Sequence, residues 1–161
     1  KASKAARIVN VSSDLHRSGR GASIITTLEK DPAFKNRTYG RQAQYGDSKL
    51  ANVLFARGLA KRMPPNVKAF SLHPGVIATG LQRSIPGGAI FKLIGKLFLK
   101  SVEQGAATSI YGAVSPDLES HSGAYLSDCA LATPSKEGTD DALADRVWDL
   151  SEAAVGKFLR G

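Results

Sequence analysis

A tyrosine and a lysine four residues apart, in the stretch Tyr45-Gly-Asp-Ser-Lys49, are the residues whose types and spacing speak most directly of chemistry. In a helix, side chains at i and i+4 share one face. An ammonium beside a phenol favours the phenolate electrostatically, which makes Tyr45 a candidate general acid and base. A surface tyrosine and a solvated lysine on an ordinary amphipathic helix would carry the same letters, so the surroundings must decide. Upstream, Ser12 and Ser13 close a short β-prone run, Ala6 to Val11, that holds Ile8, Val9 and Val11. A buried strand of a parallel sheet reads this way. Ligands of open α/β sheets bind at the carboxyl edge of the strands, so a hydroxyl there is placed to bond a substrate oxygen. The plain alternative is that both serines simply end a strand.

The elements that must position these groups follow from patterning. A helix is expected over residues 43 to 62, with Leu50, Val53, Leu54, Ala56 and Leu59 on its apolar face and Arg57 and Lys61 on its wet side. Pro64-Pro65 ends it. Asn66 to Leu72 reads as the next strand, and His73-Pro-Gly75 turns the chain, Gly75 permitting close approach of backbone to a ligand. Residues 14 to 44 are polar and basic, with a short strand or turn of helix at Ile24 to Lys30. A connection this long is functional or loosely ordered, and the fold must bring Ser13 and Tyr45 together across it. After Pro86-Gly-Gly88, Lys92, Lys96 and Lys100 recur every four residues among Ile90, Phe91, Leu93, Ile94 and Leu97, the pattern of a basic amphipathic helix. Ser101 can cap another helix; Ser122 to Ser127 reads as a strand, and about Asp140 to Leu159 as a final helix anchored by Trp148. Strand and helix in alternation argue for parallel pairing with right-handed crossovers, one half of a doubly wound α/β fold.

Composition narrows the classes. At 161 residues, 42% of them apolar and 22% charged, the chain has material for one core. Its longest apolar stretch, 89 to 99, is interrupted by lysines and is shorter than the roughly 20 residues that cross a bilayer. Cys129 is the single cysteine, which rules out an internal disulfide and suits a reducing compartment. His16, His73 and His121 have no metal-ligand spacing, so no metal is expected. A net charge of +8 suits an anionic partner, but the charges are dispersed and no nucleic-acid-binding pattern accompanies them.

Three stretches in this order, Arg7-Ile-Val-Asn-Val-Ser-Ser13, the Tyr45 to Lys49 motif, and Ser71-Leu-His-Pro-Gly-Val-Ile-Ala-Thr79, resemble the short-chain dehydrogenase/reductase family. The likeness is to its retinol-dehydrogenase-like branch and covers residues 7 to about 128. The resemblance implies reversible hydride transfer between a nicotinamide cofactor, NADP(H) rather than NAD(H), and a hydrophobic alcohol, aldehyde or ketone. It makes Ser13, Tyr45 and Lys49 the catalytic residues, with Ser12 supporting Ser13. Tyr45, Lys49, Pro74, Gly75, Val76, Ile77 and Thr79 would bind the cofactor, Lys49 at its ribose and the 74–79 loop at its nicotinamide end. The 89–100 stretch would be a flap over the substrate, with peripheral membrane contact as the sharper alternative, and a homodimer stays open. The family's glycine-rich phosphate loop and catalytic asparagine precede the serine strand and are missing from these 161 residues; Gly19-Arg-Gly21 does not replace the loop. Residues 1–161 thus read as a partial domain, the carboxyl-terminal half of a Rossmann-like fold, with little activity expected of it alone. The alternative function is a noncatalytic half-fold that acts as a protein-interaction module.

Overall fold

The computed structural model describes residues 5–33, 35, 40–77 and 99–159. Thr79 and most of the proposed flap lie outside them. Strand β1 (Ala6–Val11) is followed by a 3-10 turn (Asp14–Ser18), helix α1 (Gly21–Lys30), helix α2 (Arg41–Arg62) and strand β2 (Val67–His73). Helix α3 (Val102–Val114), strands β3 (Tyr125–Ser127) and β4 (Ala130–Ala132) and helix α4 (Asp141–Leu159) complete the chain. The four strands form one sheet in the order β1-β2-β3-β4. β1, β2 and β3 run parallel, Val11 opposite Leu72 and Ser71 opposite Tyr125, as α/β crossovers require.

Alternation along β1 sorts the helices onto the two faces of the sheet. Arg7 and Val9 meet α3, where Arg7 donates to the Gly112 carbonyl at 3.3 Å and Val9 packs beside Gly112. Asn10 and Ser12 turn the other way and donate to α2 carbonyls, at 3.5 Å to Asn52 and 2.7 Å to Lys49. Phe70, Leu72, Leu118 and Leu126 fill the core on the α3 side. On the opposite side Leu50 and Leu54 of α2 pack with Ile24 of α1 and with Ala144 and Val147 of α4. α2 ends at Met63, where Pro64-Pro65 cannot continue it. α3 starts in a full capping box, Ser101 accepting from Gln104 N and Gln104 accepting from Ser101 N. Trp148 anchors α4 by stacking on Phe55, ring centroids 5.2 Å apart, with the Arg62 guanidinium on it at 4.9 Å.

Two features depart from expectation. Residues 21–30 form ten residues of helix rather than a short strand or single turn, because Ile24 and its neighbours find apolar partners on α2 and α4. Strand β4 pairs antiparallel with β3 through a two-residue turn, Asp128 and Cys129, both left-handed at φ 52° and 55°. Such turns favour Asn-Gly, so the strain here needs tertiary support. Thr108, fully buried on α3, accepts from Cys129 N at 3.3 Å, and Lys100 forms an ion pair with Asp128. No helix among the described residues is long and apolar enough to cross a membrane.

Candidate active site

The carboxyl end of β1 is where α2 is bolted to the sheet. Ser12, buried, donates to the Lys49 carbonyl at 2.7 Å. From α2, Asn52 Nδ2 and Lys49 Nζ both donate to the Val11 carbonyl, at 3.1 and 3.3 Å. Helical spacing brings the Lys49 ammonium to 5.4 Å from the centre of the Tyr45 ring, within cation–π range. Tyr45 remains 43% exposed, so the phenol is open to a substrate while the ammonium beside it is held at the strand end. Lys49 has three donors and gives one to Val11, which leaves it able to bond hydroxyls that arrive over this edge.

Ser13 follows the strand in extended backbone, φ −156° and ψ 157°, and caps the 3-10 turn, its Oγ accepting from Leu15 N at 3.3 Å. Its carbonyl accepts from His16 N at 3.0 Å and from His16 Nδ1 at 2.7 Å. His16 is fully buried, with its ring 4.9 Å from that of Tyr125, and its Nε2 accepts from Ser135 N at 2.9 Å. An acceptor at Nε2 assigns the ring proton to Nδ1, and burial pushes the His16 pKa down, so the imidazole is neutral. The Ser13 turn is brought against α2 by two glycines in contact. A β-carbon on Gly19 would lie 2.5 Å from the Gly46 carbonyl oxygen, and one on Gly46 would lie 2.6 Å from Ser18 Oγ. Gly46 directly follows Tyr45, so this close approach sets how near the serine turn comes to the tyrosine helix.

The third group of residues lies one strand over. β2 ends at His73, whose Nδ1 accepts from Asp14 N at 3.2 Å, and the 74–77 loop follows. Gly75 is left-handed at φ +90°, and a side chain there would collide with Lys100, 2.6 Å from its Cδ. Val76 is 60% exposed, its carbonyl accepts from Lys100 N at 2.9 Å, and Ile77 bridges to Lys100. The ion pair with Lys100 holds the Asp128 carboxyl below the usual carboxylate range. The structure therefore places Ser12 and Ser13 at the end of β1, Lys49 of α2 bonded to that strand end with Tyr45 beside it, and Pro74, Gly75, Val76 and Ile77 at the end of adjacent β2; Thr79 lies outside the described residues. Motif spacing does not reveal the roles of His16 and Asn52, the ring bond of His73 or the Gly19–Gly46 contact. Sequence spacing places His73 in the turn after β2 without giving its ring a partner, and His16 follows Ser13 at the interval a 3-10 turn closes. Among the described residues, no three His, Cys, Asp or Glu side chains gather as metal ligands would.

Comparison with known proteins shows what this arrangement is similar to. No family model matches the chain. Among curated proteins, retinol dehydrogenase 14 of Mus musculus is 38% identical over 97% of this chain and 46% of its own length. The chloroplastic short-chain dehydrogenase TIC 32 A of Brassica napus is 39% identical over 90% of this chain and 45% of its own. Over the half they share, the chain is similar to short-chain dehydrogenases and retinol dehydrogenases. It spans about half the length of the curated relatives it matches. Their names are those of oxidoreductases, and they include retinol dehydrogenases, the branch the motifs resemble. A crystal structure of an uncharacterised protein from Mycobacterium paratuberculosis aligns with a TM-score of 0.64 at 25% identity, covering 94% of this chain and 51% of that one. The α/β, Rossmann-like architecture expected of a short-chain dehydrogenase/reductase is thus the one observed, as about half of the fold.

Proposed function

We propose that this chain supplies the proton-handling part of an oxidoreductase that transfers a hydride between NADP(H) and a hydrophobic alcohol, aldehyde or ketone. The observation that carries the reading is the fastening of Lys49 to the end of β1 with Tyr45 beside it. The phenol is exposed, the ammonium is 5.4 Å from its ring, and the same ammonium is held 3.3 Å from the strand's last carbonyl. A binding module has no need of such a set beside a serine turn.

The residues present fit the nicotinamide end of a cofactor. Gly75 keeps backbone bare next to Lys100, exposed Val76 follows it, and Lys49 stands at the neighbouring strand end. When bound, the nicotinamide supplies the hydride chemistry. In reduction, Tyr45 Oη–H gives its proton to the substrate carbonyl oxygen; in oxidation the phenolate takes one from the alcohol. Ser13 Oγ–H donates to the same substrate oxygen and orients it toward Tyr45. The Lys49 ammonium stabilises the charge that develops on the Tyr45 oxygen and donates to ribose hydroxyls. Pyrophosphate would be held by a glycine-rich loop that these 161 residues do not contain. The preference for NADP(H) follows the family branch, and the hydrophobic substrate follows the retinol dehydrogenases among the relatives and the apolar 89–100 stretch.

One observation favours the second reading, a noncatalytic interaction module: β1 is an edge strand among the described residues, and an open edge can take a strand from another chain. The two separate in one assay, cofactor oxidation by the full-length gene product with a series of aldehydes of increasing chain length. Turnover that improves with apolar length supports the oxidoreductase. Absence of turnover with every aldehyde and both nicotinamide cofactors leaves the interaction module.

A further inference from the structure

The peptide unit that joins Ser13 to Asp14 is gripped at both ends by imidazoles. Its carbonyl accepts from His16 Nδ1 at 2.7 Å, and its N–H donates to His73 Nδ1 at 3.2 Å. The two grips differ in kind. His16 donates, so gaining a proton would not remove that bond, and its other nitrogen is occupied by Ser135 N in a fully buried site. His73 accepts, and a nitrogen that accepts an N–H must be unprotonated. His73 is also the last residue of β2, between β1 and β3, and it leads directly into the Pro74–Ile77 loop. One imidazole thus spans the serine turn and the loop shaped for the nicotinamide.

We propose that His73 is a positioning residue whose neutral imidazole ties the Ser13 turn to the 74–77 loop, and that protonation releases the tie. The inference rests on the roles proposed above for Ser13 and that loop. A proton on Nδ1 turns the acceptor into a donor facing the Asp14 N–H, so the ring must leave that bond. The titratable groups facing it are two carboxylates, Asp14 from the serine turn and Asp128 from the β3–β4 turn, the Lys100 ammonium before α3, and the neutral His16 imidazole in the turn. Both carboxylates are already paired, Asp14 with Arg17 and Asp128 with Lys100, so a released imidazolium would have to share one of them. Burial outweighs the carboxylates and pushes the His73 pKa below the usual 6.5, with Lys100 adding to it. Because the folded value is lowered, the tie is present above 6.5 and is lost as pH falls through that lower value.

The test has two arms on the full-length protein. In the first, the wild-type protein is titrated by NMR, following the His73 ring nitrogens and the Asp14 amide without any turnover. The expected result is that the Asp14 amide shifts, and exchanges about tenfold faster or more, with the same midpoint as His73 and below 6.5. An Asp14 amide indifferent to the titration of His73 overturns the proposal. The second arm follows carbonyl reduction, which consumes a proton, so acid alone would speed it. The wild-type rate should nevertheless fall on acidification, and His73→Asn, which retains an acceptor that cannot titrate, should lose that fall. His73→Leu should be about tenfold slower than the wild type above pH 6.5, the worth of one hydrogen bond, and should converge on it in acid, where the wild type has lost the same bond. A wild-type pH profile in His73→Asn overturns the proposal. If no carbonyl is reduced by any form, the oxidoreductase reading fails instead, and the amide arm still decides whether His73 holds the turn.

Discussion

Replacing Gly19 with alanine should damage turnover more than stability, and the reason lies in one contact. Gly19 has ordinary extended backbone, φ −70° and ψ 154°, so alanine meets no conformational penalty and gains about 0.4–1 kcal/mol by restricting the unfolded chain. The new methyl, however, would sit 2.5 Å from the Gly46 carbonyl oxygen and 2.8 Å from both Gly46 C and Leu50 Cβ. Two of these atoms are backbone of α2, and Leu50 is fully buried, so no side chain can swing aside. Ordinary contact begins at about 3.5 Å, so the serine turn must retreat from the tyrosine helix by roughly 1 Å. Overpacking of this kind costs about 1–3 kcal/mol, which leaves a net loss between nothing and about 2.6 kcal/mol and a melting temperature lower by only a few degrees. A 1 Å displacement of reacting groups costs up to about 100-fold in rate. Steady-state kinetics of carbonyl reduction and thermal unfolding of the full-length protein, beside a Gly40→Ala control, measure both effects; nothing lies within 4 Å of a β-carbon at Gly40. The reasoning is refuted if Gly19→Ala keeps the wild-type kcat, or if its loss of rate merely tracks the fraction unfolded.

Other perturbations separate neighbouring effects. Ser12→Ala removes the 2.7 Å bond to the Lys49 carbonyl and should cost about 1 kcal/mol in chemical denaturation; no loss would mean that this bond does not fasten α2. Tyr125→Phe should be neutral or slightly stabilising, because the buried Tyr125 hydroxyl has no hydrogen-bond partner among the described residues. By absorbance, Tyr125 should stay un-ionised until about pH 12, where burial has pushed it, and ionisation near 10 would contradict that burial. Asp141 is lowered to about 2 by Arg57 and then Lys61, so its contribution is present above 3.8 and lost as pH falls toward 2. Asp141→Asn should flatten that acid limb of thermal stability, modestly because the pair is surface-exposed and salt-screened; an unchanged limb would remove the pair from the account.

The readable parts of this chain were those in which local pattern and tertiary need agree. β1 was found where Ile8, Val9 and Val11 indicated, α2 stopped at its prolines, and Ser101 capped α3 as expected. Helix α1 was underread because its apolar face is short and only acquires meaning against α2 and α4. β4 was missed because the Asp128-Cys129 turn has neither asparagine nor glycine, and its left-handed backbone is offset by Thr108 and Lys100, far away in sequence. At the site, the motif gave the tyrosine–lysine spacing on one face. What holds that face to the serine, two glycines in contact and two histidines around one peptide unit, consists of long-range contacts that no local spacing encodes.

The central claim, that Tyr45 moves the proton, is tested most directly by Tyr45→Phe in the full-length protein, with single-turnover hydride transfer and cofactor affinity measured on the same preparation. The account predicts a rate lower by about 100- to 10,000-fold with cofactor affinity nearly intact, because the phenyl ring keeps the Lys49 contact and lacks only the hydroxyl. Wild-type hydride transfer in Tyr45→Phe, or an equal loss of rate and affinity, would contradict it.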